Sequence, residues 1–175
     1  MRTDSKRFAT YLNLLSDTAK HAEEHRRPPN MCRFIGLAHR IAGIPDCSRD
    51  DMLLDQEWYI IPGLPEFTVC EDCYDEAVWP AIKSDLPVAT DFKRHPKSVA
   101  PSHVGISCQL YSSLMRSIFQ EACQRDDMQI LRNAAVQRYR VEKDLQARTL
   151  EVQKWPKEER MREVARLVDE WKRWE

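Results

Sequence analysis

The sequence predicts a mainly α fold: a helical domain with a short extended element near its middle and long helices toward its C-terminal end. Three observations carry this. Apolar residues recur at helical spacing over much of the chain, and from Ser107 onward almost without interruption. Only the aromatic and β-branched run "EWYIIPGLPEFTV" (57–69) reads as strand-forming. The composition, with 31% charged residues and a mean hydropathy of −0.62, suits long solvated helices, while 42% hydrophobic residues supply a core of ordinary size.

The elements follow in order. Phe8, Tyr11, Leu12, Leu15 and Ala19 share one face of a helix over residues 4–24. Asp4 or Ser5 is placed to cap it, and "RRPP" at 26–29 ends it, because proline offers no N–H to the helix ladder. A second helix is expected from about Asn30 to Ala42, with Cys32, Ile35 and His39 on one face and Gly43 and Pro45 as its stop. "CSRDDMLLDQ" (47–56) reads as a loop. Two short extended pieces, Trp58–Ile61 and Glu66–Val69, flank a turn at Pro62, Gly63 and Pro65. A helix is expected from about Asp72 to Ile82, kinked or ended by Pro80. Residues 84–106 carry Pro87, Pro96 and Pro101 and little periodicity, so they read as a long loop that something must pin. Beyond it, Leu110, Leu114, Ile118 and Ala122 mark one helix face, and "RDD" (125–127) marks a break. Ile130, Leu131, Ala134, Ala135, Val141 and Leu145 then continue to about residue 150. The last helix opens at Pro156 with Glu158 and Glu159 suiting its dipole. Its apolar stripe is Met161, Val164, Ala165, Val168 and Trp171, with Glu158–Arg162 and Asp169–Arg173 paired on the wet face.

Charge is nearly balanced overall, at −1, but unevenly placed: residues 1–45 hold 8 basic and 4 acidic groups, and residues 46–91 hold 2 basic and 12 acidic. Nucleic-acid surfaces need clustered Lys and Arg, so the acidic block disfavours that partner class. No run of 18 apolar residues exists to cross a membrane, and "MRTDSKRFAT" lacks a secretory pattern. The expectation is an intracellular protein, cytoplasmic or nuclear.

In a reducing compartment the six cysteines point away from disulfides. Cys70 and Cys73, in "TVCEDCYDEAVWP" (68–80), form a C-x2-C pair at a helix start, where free backbone N–H groups and the dipole favour thiolate. Zn2+ takes four ligands in a tetrahedron and favours thiolate. The other ligands must come from Cys32, Cys47, Cys108, Cys123, His39, His95 or His103. Cys32 and Cys108 each sit at the first turn of an expected helix. The preferred set is therefore Cys32, Cys70, Cys73 and Cys108, with Cys47 in reserve for Cys32. Cys123, late in a helix, reads as a small buried hydrophobe. Two plainer readings compete. A redox pair would want a βαβ host that is not visible here, and the cysteines could be unliganded core thiols. The expected organisation is a zinc-stabilised core over 1–123 with a helical extension over 124–175, or one domain over 1–175.

Other signals are weaker. His21 and His25 lie four apart at a polar helix end and read as solvated; a metalloprotease helix needs Glu directly after its first His. No phosphate-cradling glycine loop and no nucleophile elbow are present, and the chain has 4 Gly in all. The acids of "EDCYDE" (71–76) read as helix-start charges ahead of a catalytic dyad. Trp155, Trp171 and Trp174 read as a core stripe and C-terminal anchor ahead of an aromatic binding surface.

Three stretches, "WYIIPGLPEFTVCEDCYDEAVWP" (58–80), "SCQLYSSLMRSIFQEAC" (107–123) and "EWKRWE" (170–175), together resemble a fungal protein family of uncharacterised function. Its pattern is an IP-x-LP-E-F-T-V-C-x-x-C-Y block, a Pro-rich loop, a C-Q-L-Y-S helix and a charged helical tail. The resemblance covers residues 58–175 and implies that Cys70, Cys73 and Cys108 belong together. The chain departs from it at "SSLMR", where the pattern has a Pro-Arg pair before Met-Arg.

The functional expectation is a non-enzymatic, zinc-stabilised interaction or scaffold module with a protein partner. A closed four-thiolate site leaves no position for a reacting water. The alternatives are a GATA-like nucleic-acid-binding zinc module and a zinc enzyme or ubiquitin-ligase-like module. A ligase of the RING type would need eight ligands for two ions.

Overall fold

The computed structural model describes residues 6–49, 51, 57–95 and 107–175. The expected cap at Asp4 or Ser5, the candidate ligand His103, and the parts of the two expected loops at 50, 52–56 and 96–106 lie outside the described residues. The fold is mainly α with a small antiparallel sheet. The chain divides into two compact units, 1–45 and 46–175. Residues 124–175 thus belong to the same unit as residues 46–123.

The first unit is a helical pair, α1 (Lys6–Glu24) and α2 (Cys32–Ala42). Tyr11 and Phe34 meet across it with ring centroids 5.6 Å apart. Arg7 reaches from α1 to the carbonyls of Ile44, at 2.8 Å, and Pro45, at 3.1 Å. Asn30 starts α2 by accepting from the Cys32 N–H at 3.0 Å. Gly43 closes it without a left-handed turn, at φ −88°.

The second unit begins with a hairpin. Strand β1 (Trp58–Ile61) pairs antiparallel with β2 (Leu64–Val69), with Ile61 opposite Leu64. Two residues, Pro62 and Gly63, make the turn. Pro cannot take a positive φ, so the left-handed position falls to Gly63, at φ +83°, in the Pro-then-Gly order of a type II turn. A register shift between Ile60 and Ile61 absorbs the mismatch with strand twist. Arg132 secures the turn by donating to the Gly63 carbonyl at 2.8 Å.

Helix α3 (Glu71–Cys73) runs through a π-helical stretch, Tyr74–Val78, into α4 (Trp79–Lys83). The wide turn lies directly before Pro80, whose ring would clash with the carbonyl four residues back in a regular helix. The chain thereby passes Pro80 without ending. The segment read as a long loop is ordered in its first part: α5 (Pro87–Thr90) buries Val88 and Ala89, and β3 (Lys93–His95) pairs with β1 to complete the order β2-β1-β3. Polar "KRH" hides this strand from a periodicity reading; its place is set by pairing with β1.

A single 3-10 turn, Gln109–Tyr111, leads into α6 (Ser113–Arg125). Ser112 caps α6 by accepting from the Met115 N–H at 3.1 Å. Asp126 takes the left-handed region at φ +51°, and Asp127 caps α7 (Met128–Val152) by accepting from the Gln129 N–H at 2.9 Å. A short turn at 153–156 reverses the chain into α8 (Lys157–Trp171). The main core gathers Leu64, Phe67 and Val69 of β2, Met115 and Phe119 of α6, and Leu131 and Ala135 of α7. Phe92 packs edge-on to Phe67, Tyr74 and Phe119. A smaller cluster, Leu145, Val152 and Leu167, joins α7 to α8.

Candidate metal centre

Four cysteines of the second unit converge: Cys47, Cys70, Cys73 and Cys108, with all four Sγ atoms within 4.8 Å of one another. Cys70, Cys73 and Cys108 are fully buried and Cys47 is half-buried. Four thiols this close could bind a metal ion. A tetrahedral ion with thiolate bonds of about 2.3 Å holds its sulfurs roughly 3.8 Å apart, within the span observed.

Each cysteine is placed by a local device. Cys70 ends β2 and sits at the N-cap of α3 with an extended backbone, φ −73° and ψ 164°. The turn that follows, closed by Tyr74 N–H to the Cys70 carbonyl at 2.9 Å, carries Cys73 back beside it. Cys47 lies just before Arg49, whose left-handed φ of +58° curls the chain so that its N–H points at the Cys47 sulfur, 3.3 Å away. The Cys47 N–H is in turn held by Asp72 Oδ2 at 3.1 Å. Cys108 is fixed by its N–H to the Arg49 carbonyl at 3.0 Å, and its sulfur accepts from the Cys70 N–H at 3.5 Å. Next to it, Thr68 donates to the Ser107 carbonyl at 2.6 Å. The far segment is thus docked on both the β2 end and the Cys47 loop.

The four thiols cannot all ionise unaided. Hydrogen bonds from Cys108, Cys70 and Cys73 hold the Cys47 thiol far below its ordinary pKa. A hydrogen bond from Cys108 acts to lower Cys70, but the bonds to Cys47 and Cys73 and burial outweigh it and push Cys70 far up. Burial first, then Cys47, Cys70 and Cys73, push Cys108 up. One thiolate is favoured and further ones are opposed, because like charges share one buried spot. A divalent cation at the centre reverses that opposition.

A guanidinium borders the group. Arg116 of α6 reaches Cys73 Sγ at 3.5 Å, Glu76 Oε2 at 2.5 Å and, through Nε, the Leu110 carbonyl at 2.6 Å. Sequence reasoning missed it, since an arginine 43 positions from Cys73 carries no local signal.

The remaining candidates stand elsewhere. Cys32 opens α2 as expected and is exposed, outside the four-cysteine group. The group includes instead the reserve residue Cys47. Cys123 is buried in the main core, its thiol pushed up to about 11 by burial and by Asp126. His39 is exposed on α2, and His95 lies on β3, outside the group. His21 and His25 stack on each other at 4.1 Å on α1. No helix among the described residues is long and apolar enough to cross a membrane. Comparison of the chain with protein-family models, with curated proteins and with solved structures finds no match in any of the three.

Proposed function

We propose that this chain is a non-enzymatic interaction or scaffold module whose 46–175 unit is stapled by one structural Zn2+ on Cys47, Cys70, Cys73 and Cys108. The convergence of four sulfurs within 4.8 Å carries the reading. Zinc is the preferred ion because a tetrahedral all-thiolate set suits it, and a structural site of that kind is closed. Four protein ligands leave no position for water or substrate, so the ion stabilises and does not catalyse. The resemblance of residues 58–175 to the fungal family supports grouping Cys70, Cys73 and Cys108.

The ion would reinforce three stretches already joined by hydrogen bonds: the loop at Cys47, the β2–α3 junction, and the segment entering α6. The interaction role draws support from apolar side chains left in water on α7 and α8, namely Leu150, Met161, Val164 and Val168, with Trp155 in the turn between them. Exposed apolar side chains suit a protein partner, and the 12 acidic and 2 basic groups of residues 46–91 disfavour nucleic acid around the cysteine group. Thiolate ligation also suits a reducing compartment, the cytoplasm or nucleus.

The test is bound metal per chain by elemental analysis on protein purified without added metal. One zinc is expected in the parent and in Cys32→Ser, and none in Cys47→Ser, Cys70→Ser or Cys108→Ser, each with a lowered melting temperature. Metal lost in Cys32→Ser and kept in Cys47→Ser would make Cys32 the fourth ligand. Two zincs would revive a RING-like module. A metal-free parent that still unfolds cooperatively would reduce the cluster to buried or redox thiols and end the proposal.

A further inference from the structure

We propose that Arg116 is the charge partner of this metal centre, a positioning residue whose guanidinium donates to the Cys73 sulfur and strengthens metal binding. The inference rests on the zinc reading above. A dication held by four thiolates carries a net charge of −2, and three of these four cysteines are fully buried. Burying such charge is costly unless it is paired and hydrogen-bonded. The chain around the ligands worsens the problem: residues 46–91 carry 12 acids against 2 bases, and Asp72 and Glu76 lie at the site itself.

Arg116 supplies what that segment lacks, from α6. Its donors divide among three acceptors: Nη2 to Cys73 Sγ at 3.5 Å and to Glu76 Oε2 at 2.5 Å, and Nε to the Leu110 carbonyl at 2.6 Å. Three acceptors fix the plane of the fork, and the side chain is only 23% exposed, so solvent screens it little. The N–H groups of Arg49 and Cys70, which donate to the Cys47 and Cys108 sulfurs, are neutral. Arginine also keeps its charge at any working pH.

The direction of the effect follows from charge. The loaded site, four thiolates on one dication, is anionic beside Arg116. The guanidinium therefore favours the loaded form over the empty one. Groups that hydrogen-bond to metal ligands change affinity by about 10–100-fold when removed.

Three variants of the full chain separate this role from a purely structural one: Arg116→Met, Arg116→Lys and Glu76→Gln. Zinc affinity is read by competition with a chromophoric chelator, and ligand electronics by the sulfur-to-cobalt charge-transfer bands of the Co2+-loaded protein. Arg116→Met is expected to bind zinc at least about tenfold more weakly and to shift those bands, because Cys73 loses its cationic donor. Arg116→Lys is expected to keep most of the affinity. Glu76→Gln, which leaves the donor on Cys73, should leave the bands in place. Unchanged affinity and bands in Arg116→Met would overturn the inference while leaving the zinc site intact. So would a loss in Glu76→Gln equal to that in Arg116→Met, since the ion pair alone would then matter. If Arg116→Met does not fold, the cobalt spectra of Arg116→Lys and Glu76→Gln decide: a shift in the first and not the second supports the role, and the reverse overturns it. A parent that takes up neither zinc nor cobalt defeats the zinc reading itself, a distinct outcome.

Discussion

Arg138 is the largest fully buried side chain among the described residues. Its guanidinium lies between the Tyr111 and Trp171 rings, 5.1 and 4.6 Å from their centroids, and its Nη1 donates to the Trp174 carbonyl. Trp171 Nε1 donates to Tyr111 Oη at 3.1 Å, which holds the two rings in register. Nε and Nη2 of Arg138 have no hydrogen-bond partner, so the ring faces offset part of the charge's desolvation. A desolvated cation–π contact contributes about 2 kcal/mol, and two share this cation. Arg138→Ala is expected to lower unfolding free energy by about 3 kcal/mol in urea titration; a loss under about 0.5 kcal/mol, the scatter of ordinary surface changes, would show that the sandwich contributes nothing. Thiol chemistry offers a second prediction. At pH 8 Cys32, exposed at the start of α2, should alkylate first in the zinc-loaded protein, where the four clustered sulfurs are shielded by the metal. Cys123 should stay slow and quicken only as pH approaches 11, because its pKa is raised and little thiolate exists below that. Peptide mapping after timed iodoacetamide labelling checks both, and early modification of Cys123 at pH 8 would contradict the burial described.

Elements differ in how their faces were assigned by packing. Of the expected set, Leu110 is buried in the 3-10 turn before α6, Ala122 is buried in the helix and Ile118 packs against the core, but Leu114 is exposed. The bulkier Met115 and Phe119, with Cys123, claim the remaining buried places and widen the face on that side. In α8 the same thing is more pronounced. Its expected stripe is largely in water, with Met161 63% and Val168 48% exposed, while Leu167 is buried against α7. Charges of α8 follow suit: Glu163 and Glu170 face Arg148 of α7, and Asp169 pairs with Lys172 in place of Arg173. Leu167→Ala should therefore cost about 2–4 kcal/mol, whereas Met161→Lys should stay within about 0.5 kcal/mol. Equal losses in thermal denaturation would mean the helix is turned the other way. At the hairpin, a Cβ on Gly63 would meet only Arg132 Nη2 at 3.9 Å, so space is ample and strain is the whole cost. Gly63→Ala should lose about 1 kcal/mol from its φ of +83° alone.

At the scale of the molecule, stability is unequally shared. Ile41 is the only buried residue among those described in the helical pair, whereas the 46–175 unit has a contiguous core running from Trp58 to Ala135. Amides of α1 and α2 should exchange with deuterium well before those of α6 and of α7 near Leu131 and Ala135. Comparable protection in both units would refute that ranking. All four converging cysteines belong to the 46–175 unit. If the full chain binds one zinc as proposed, a fragment of residues 46–175 is accordingly expected to do so too, and chelation should lower the melting temperature of both by a similar amount. A fragment unable to hold zinc would implicate a ligand from residues 1–45.

By itself the sequence determined what is local. Helical periodicity, the break at 125–127, the turn at Pro62 and Gly63 and the thiolate-favouring C-x2-C at a helix start are all written within a few residues of where they act. It therefore gave the mainly α class and the pairing of Cys70 with Cys73. Only the tertiary structure decided what depends on distant neighbours. The choice between Cys32 and Cys47 was open because both lie tens of residues before the pair, and first-turn position says nothing about where a helix end points; the left-handed bend at Arg49 and the Cys108–Arg49 bond aim Cys47. The β3 strand, the apolar stripe of α8 left in water, the buried Arg138 and the approach of Arg116 to Cys73 are likewise set by partners tens of residues away. Burial and charge compensation belong to the packed whole, and a periodic pattern names a face without saying what will cover it.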